Sequence, residues 1–207
     1  MRIDVTRRPE GSENKKIQIL KEIYGFFDIE QSIIFVTKRV EAEDVARMFV
    51  SERYSVSHMH GRLTPDQRDD EFRRFREGKT KVLVTTNVLA RGVNVPSVDL
   101  VINYNLPTKP TPEGQHRERV DPETYVHRMG RCGRFGRQGT AITLIESSQD
   151  EAMMLEIEKY YKFESKRMTE EWDANEIESL GEAVHQRSTL AAEPTHLECT
   201  VEVTEEV

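Results

Sequence analysis

Cysteine is nearly absent: Cys132 and Cys199 are the only two in 207 residues. Neither has metal-ligand spacing, which excludes a zinc module or a disulfide scaffold, and reduced thiols of a cytosolic or nuclear protein are expected. Long apolar runs are missing too; "IIFV" is typical of the longest, so neither a membrane span nor a signal peptide is expected. No G-x-x-x-x-G-K-[ST] occurs, and no loop therefore cradles a nucleotide's phosphates by that mechanism. No Asp-Glu pair follows a strand in the manner of a magnesium site. No Ser-His-Asp or Cys-His pattern stands out, and the six histidines are scattered, which gives them structural or surface roles.

What is present suits one soluble domain with a tail, since 36% of the residues are hydrophobic and 32% charged. The net charge of −7 conceals an asymmetry: residues 1–145 hold 25 basic and 20 acidic side chains, residues 146–207 hold 5 and 17. A mildly basic body with an acidic end fits an anionic partner on the body, although an ordinary solvated surface would give the same balance. Along the chain, short buried runs ("SIIFVT", "KVLVTT", "VDLVINY", "GTAITLI") and the weaker "SVSHMH" alternate with helical patterns. In "EAEDVARMFVSE" the spacing puts Ala42, Val45, Ala46 and Phe49 on one face. In "TPDQRDDEFRRFREG" Thr64 caps, Pro65 is the first residue inside, Gln67 stands at the capping-box position and Gly78 ends the helix. Asp121 caps "DPETYVHRMG". "DEAMMLEIEKYY" and "DANEIESLGEAVH" read as two more helices. This alternation predicts an α/β fold: a doubly wound parallel sheet with helices on both faces. Residues 1–14 are expected to be a linker and N-terminal strand, 15–187 the domain, and 188–207 an acidic disordered tail.

"HRMGRCGR" poses the chemical question. Arg128, Arg131 and Arg134 recur every third residue with Gly130 and Gly133 between them. Guanidiniums so close repel unless an anion lies among them. A single arginine could pair with Asp121 or Glu123; the whole series, together with Arg91 beside Gly92 in "NVLARGVNVP", reads better as a grip on phosphate from outside. Glycine permits close backbone approach and arginine binds bidentately. In a parallel sheet such loops gather beyond the carboxyl ends of the strands. The chain thus holds groups that stabilise charge on a phosphate without those that bind most of a nucleotide.

"SIIFV", "HGRL", "TTNVLARGVNVP" and "YVHRMGRCGR" resemble, in order and spacing, the motifs of the second RecA-like domain of DEAD-box RNA helicases, over residues 15–185. "TTN" in place of "ATD", a 13-residue insertion from Thr108 to Val120, and "TEEWD" before the last helix are similar to the branch that acts in mRNA export at the nuclear pore. The resemblance implies that ATP and Mg2+ are held mainly by an N-terminal RecA-like lobe not present in this sequence. Arg131 and Arg134 take the positions of the arginine fingers on the γ-phosphate. Gly92 and Asn94 fall in the loop that meets ribose and phosphates, with Asn94 standing where most members have Asp. Arg128 joins them on the ATP side and, with His127, bridges to the acidic box and neighbouring motifs. Lys38, Arg39, Gly61 and Thr86 take RNA-side positions; Lys38 replaces the usual Thr, and Pro65 the usual Gln before Arg68.

The implied protein is a monomeric, RNA-stimulated ATPase that binds single-stranded RNA without sequence preference. It has no membrane role and works in cytoplasm and nucleus, at the cytoplasmic face of the pore. An export activator carrying inositol hexakisphosphate is expected on this lobe and a nucleoporin on the other. This chain alone is expected to be inactive, as a fragment of a longer protein. The alternative is a lone RecA-like module that docks RNA or protein without catalysis.

Overall fold

The computed structural model describes residues 1–4, 14–88, 98–109, 119–132 and 139–168. The helix expected over 173–185 and the acidic tail lie outside these residues. In chain order the elements are β1 (Arg2–Asp4), α1 (Lys15–Phe26), β2 (Ser32–Phe35), α2 (Arg39–Ser51), β3 (Val56–Met59), α3 (Pro65–Arg76) and β4 (Val82–Thr85). There follow β5 (Leu100–Asn103), β6 (Thr108–Lys109), β7 (Arg119–Val120), α4 (Pro122–Met129), β8 (Thr140–Ile145), α5 (Ser148–Tyr161) and β9 (Arg167–Met168).

Seven strands form one sheet in the order β3-β4-β2-β5-β8-β1-β9, and every neighbouring pair is parallel. Each strand's run of apolar residues serves both faces. Ile34, Val84, Ile102 and Leu144 pack with Ile19, Leu20 and Ile23 of α1 and with Val45 and Phe49 of α2. Their neighbours Ile33, Phe35, Leu83 and Val101 pack on the opposite face, with Phe75 of α3 and the partly buried Met129 of α4. A third cluster joins Tyr125 of α4, Ile145 and Met153, Met154 and Ile157 of α5. A side chain fully removed from water on either face contributes ~1.5–3 kcal/mol, so one strand residue in two stabilises each layer.

The helix signals act as read. Thr64 accepts from the Gln67 N–H while Gln67 reaches back to the Thr64 N–H at 2.9 Å, and Asp121 accepts from the Thr124 N–H at 3.2 Å. Two features were not read from the sequence. The base of the Thr108–Val120 insertion is a small antiparallel ladder, Thr108 opposite Val120 and Lys109 opposite Arg119. The outer strand β9 pairs with β1, which places the N-terminal strand inside the sheet.

Two features position the site. The chain runs from β2 out to β3, back to β4, and then across to β5 on the other side of β2. The connections therefore diverge at β2, and in a parallel sheet such a point, beyond the carboxyl ends of β4, β2 and β5, is where ligands bind. The register is level there: Phe35 and Met59 both lie opposite Thr85, so Lys38, Gly61 and Thr86 leave neighbouring strands close to one height.

Candidate nucleotide and RNA interface

Arg128 sits at those strand ends. Its side chain is buried, with the residue 3% exposed. One terminal nitrogen donates to the Asn103 Oδ1 at 3.0 Å and to the Asn105 carbonyl oxygen at 2.9 Å. The other donates to the Asn87 Oδ1 at 2.6 Å. The guanidinium also lies 4.9 Å from the centre of the Phe35 ring, within cation–π range. Asn87 follows β4, Asn103 and Asn105 end β5, and Phe35 ends β2, so one side chain ties three strand ends together. Asn103 is held for this: its Nδ2 donates to the Thr143 Oγ1 at 3.4 Å, which leaves Oδ1 toward Arg128. None of the acceptors is charged. Burial accordingly pushes the Arg128 pKa down to about 10, with the Asp121 carboxylate working in the opposite direction.

The side chain that the resemblance assigns to ATP is here engaged by its own domain. A guanidinium enclosed on three acceptors of its own domain would have to abandon them to reach a nucleotide.

Arg131, one turn further on, is different. It is half-buried, and its Nε donates to the His127 carbonyl oxygen at 3.2 Å, which directs the side chain along the end of α4. Its own carbonyl oxygen accepts from the Val98 N–H at 3.3 Å, and Val98 and Cys132 form a parallel bridge. Asn87 and Val98, on either side of residues 89–97, are thus fastened to α4 and its following turn. Val98, which precedes β5, thus joins the turn after α4 at the amino end of that strand, and Arg91 lies outside the described residues. Gly92, Asn94 and Arg134 fall outside the described residues. Among the described residues no group of three or more His, Cys, Asp or Glu side chains could hold a metal ion.

On the expected RNA side, Lys38 is exposed at the start of α2, and its N–H is satisfied by the Glu41 carboxylate at 2.9 Å. The preceding Thr37 N–H donates to the Asn105 Oδ1 at 2.9 Å, which braces this turn against the end of β5. Arg39 shares its charge with Glu43, at 3.0 Å. Gly61 is exposed; a Cβ there would meet nothing nearer than a Val88 methyl at 3.9 Å. Thr86 is only 9% exposed, and its N–H donates to the Met59 carbonyl oxygen at 3.0 Å. Little hydroxyl surface is therefore offered there.

Sequence reasoning passed over the three asparagines that hold Arg128. The available signal was an amide at the end of consecutive apolar strands, "TTN" and "VINYN". It also passed over His60, which is 5% exposed and lies 3.6 Å from the Glu43 carboxylate that Arg39 binds. Burial foremost, then the neighbouring His58, lowers the His60 pKa against the opposing pull of Glu43. A histidine held neutral by the fold takes up fewer protons than the unfolded chain, so stability falls as pH drops below its ordinary value near 6.5. The midpoint of thermal unfolding should fall more for the wild-type chain than for His60→Gln between pH 7.5 and 5.5. Parallel pH dependence of the two would remove His60 from the account.

The model for the helicase conserved C-terminal domain matches residues 15–136. Among curated relatives, the ATP-dependent RNA helicase DBP5 of Kluyveromyces lactis is 47% identical over 72% of this chain and 31% of its own length. That of Saccharomyces cerevisiae is 43% identical over 82% of this chain and 34% of its own. The chain thus spans about a third of the length of the curated relatives it matches. Among solved structures, the C-terminal domain of the DEAD-box protein Dbp5 aligns with a TM-score of 0.75 at 39% identity, over 89% of this chain and 96% of that one. S. cerevisiae Dbp5 bound to RNA and ADP BeF3 aligns with 0.73 at 39%, over 88% and 44%. A variant S. cerevisiae Dbp5 bound to a variant Gle1 and IP6 aligns with 0.76 at 39%, over 89% and 44%.

Proposed function

The chain belongs to the helicase conserved C-terminal domain family and is the RecA-like C-terminal domain of a DEAD-box RNA helicase, most like Dbp5; from that premise we propose that it is the second lobe of an ATP-dependent RNA helicase of mRNA export. It supplies Arg131 and Arg134 to the γ-phosphate of an ATP whose phosphates and Mg2+ are held mainly by the N-terminal lobe. What carries the reading is a division of labour within the arginine series. Arg128 is spent inside the domain, whereas Arg131 is kept partly exposed on a main chain fixed by Val98. A module that only docks has no use for a second, outward guanidinium placed so firmly. Arginines preset in this way stabilise charge on a transferring phosphoryl group without reorganising as it forms. Gly92 and Asn94 are assigned to the ribose and phosphates.

Lys38, Arg39, Gly61 and Thr86 are assigned to the RNA backbone. The level ends of β3, β4 and β2 support this, and so does the open space at exposed Gly61, where a Cβ would meet nothing among the described residues nearer than 3.9 Å. Phosphate and ribose contacts carry no base information, and binding is sequence-independent. Relatives whose structures hold Gle1 and IP6 support an export activator with inositol hexakisphosphate as a partner of this lobe, at the cytoplasmic face of the nuclear pore. The protein works as a monomer.

Mixing residues 1–207 with the N-terminal lobe of an export helicase tests the reading. The chain alone should turn over no ATP, and the mixture should show RNA-stimulated turnover above that of the N-terminal lobe. A mixture no better than the N-terminal lobe would leave the docking module standing. Separately, alanine at Lys38, Arg39 and Thr86 together should weaken RNA binding alike for all sequences and lower its salt slope by ~1–2, about one for each phosphate no longer neutralised. Unchanged affinity across a salt titration would take RNA away from these residues.

A further inference from the structure

Arg39 and Glu43 stand one turn apart on α2, with a guanidinium nitrogen 3.0 Å from the Glu43 Oε1 and both side chains partly exposed. Arg39 can meet an RNA phosphate with its full charge only by giving up that carboxylate. The same Oε1 lies 3.6 Å from the His60 Nε2, too far for a hydrogen bond as the two now stand. His60 directly precedes Gly61 and is 5% exposed. Its Nδ1 has no hydrogen-bond partner among the described residues. One carboxylate oxygen thus lies between a surface cation that holds it and a buried imidazole that does not. The charged and titratable groups that act on His60 are His58, on β3, and Glu43 and Arg39, on α2; α3, which also packs on β3, adds none to that set. Burial, and after it His58 and Arg39, oppose a proton on His60, whereas Glu43 favours one.

We propose that Glu43 and His60 are positioning residues for the RNA contact of Arg39: the Glu43 carboxylate holds Arg39 while RNA is absent and passes to a protonated His60 when an RNA phosphate takes the guanidinium, so that RNA binding takes up a proton. The inference rests on the helicase reading above. A phosphate that draws Arg39 away removes a cation from beside His60 and leaves the carboxylate without its partner. Both changes favour a proton on the imidazole, and the proton comes from solvent. The move is small. Closing from 3.6 Å to the ~2.8 Å of a charge-assisted hydrogen bond takes a rotation of one side chain. It also spares the complex a half-buried carboxylate left unpaired beside RNA. The sign follows from linkage. A His60 that holds its proton more tightly with RNA bound makes RNA affinity rise as pH falls, until His60 is protonated in the free protein as well.

The test measures binding of a single-stranded oligouridine to the full-length protein with ADP–BeF3 present. Between pH 7.5 and 5.5 the wild-type affinity should rise about fivefold more than that of His60→Gln, within the reach of one linked proton. Glu43→Gln should bind about threefold more tightly than wild type at pH 7.5, because Arg39 has lost its rival, and should lose the same pH dependence. In an Arg39→Ala background, Glu43→Gln should change affinity by less than about 1.5-fold, since the pair it acts on is gone. An NMR titration of residues 1–207 without RNA follows the imidazole itself: Arg39→Ala should raise the His60 pKa and Glu43→Gln should lower it. An equal gain from Glu43→Gln with and without Arg39 overturns the proposal, because the carboxylate would then only repel RNA through space. So does a wild-type pH profile parallel to that of His60→Gln, or a His60 titration that Arg39→Ala leaves unmoved. RNA affinity unchanged in Arg39→Ala would instead sink the assignment of Arg39 to RNA, and the NMR shifts would still decide whether Glu43 passes between Arg39 and His60.

Discussion

In the full-length protein, Arg131→Ala and separately Arg134→Ala should cut ATP turnover by ~10³-fold or more, with ATP binding much less affected. By transition-state arithmetic that is a loss of about 4 kcal/mol or more from each. The chemistry asks this of Arg131 because charge spreads over the phosphoryl oxygens as the bond to the leaving group lengthens, and a planar fork meets two of them at once. The fold should survive. The stitch between this segment and Val98 is made by the Arg131 main chain, which alanine keeps, and the side-chain contact to the His127 carbonyl lies at an exposed helix end. The double variant should be little worse than either single one, since groups that act as a unit are not additive. Arg131→Lys should not rescue, because an ammonium retains the charge and loses the fork. Initial-rate ATPase assays beside thermal melts decide the matter: normal turnover per folded molecule with an early melt would make Arg131 structural.

Most of the fold could be read from the chain because its signals are local. Thr64, Pro65 and Gln67 define the start of α3 within one turn. Ala42, Val45, Ala46 and Phe49 repeat at the helical period, and all four are buried. Near-continuous apolar strands such as Ser32–Phe35 are what a sheet covered on both faces requires. Features that depend on partners distant in sequence were not legible. Thr108 and Val120 pair across twelve positions, and β9 finds β1 across 165, Arg167 opposite Arg2. The site divides in the same way. Spacing picked out the arginine series, but only the fold shows that Arg128 faces inward and Arg131 outward. At a helical pitch of 3.6 residues, positions three apart lie near the same face, so spacing alone ranks them equally. What separates them is the set of asparagines at the strand ends, 41 and 25 positions away from Arg128 for Asn87 and Asn103. Arg39 was likewise read only as an RNA-side position, since the buried His60 behind its partner Glu43 follows β3 and is not on α2.

Arg128 should therefore fail differently from Arg131 when truncated, and the contrast can be measured on residues 1–207 without any partner. Arg128→Ala removes three hydrogen bonds from a charged donor, leaves the fully buried Asn103 Oδ1 without its partner, and opens a hole against the Phe35 ring. Losses of this kind run to ~1–3 kcal/mol for each buried group left unsatisfied. They are offset in part because a buried charge with no counter-charge no longer has to be kept from water. The net should be a destabilisation of about 3 kcal/mol, a fall in melting temperature of roughly 6–12 °C for a chain of this size. Arg128→Met refills the space beside Phe35 but donates nothing, so it should recover only the part due to the hole. Arg128→Lys keeps a charge but cannot span Asn87 and the β5 end together, and it should lie between wild type and alanine. Urea unfolding of the four proteins orders them. If Arg128→Ala instead unfolds like wild type, and in the full-length protein raises the KM for ATP, then the guanidinium leaves its three asparagines when the lobes close and is a nucleotide contact, as its place in the motif first implied.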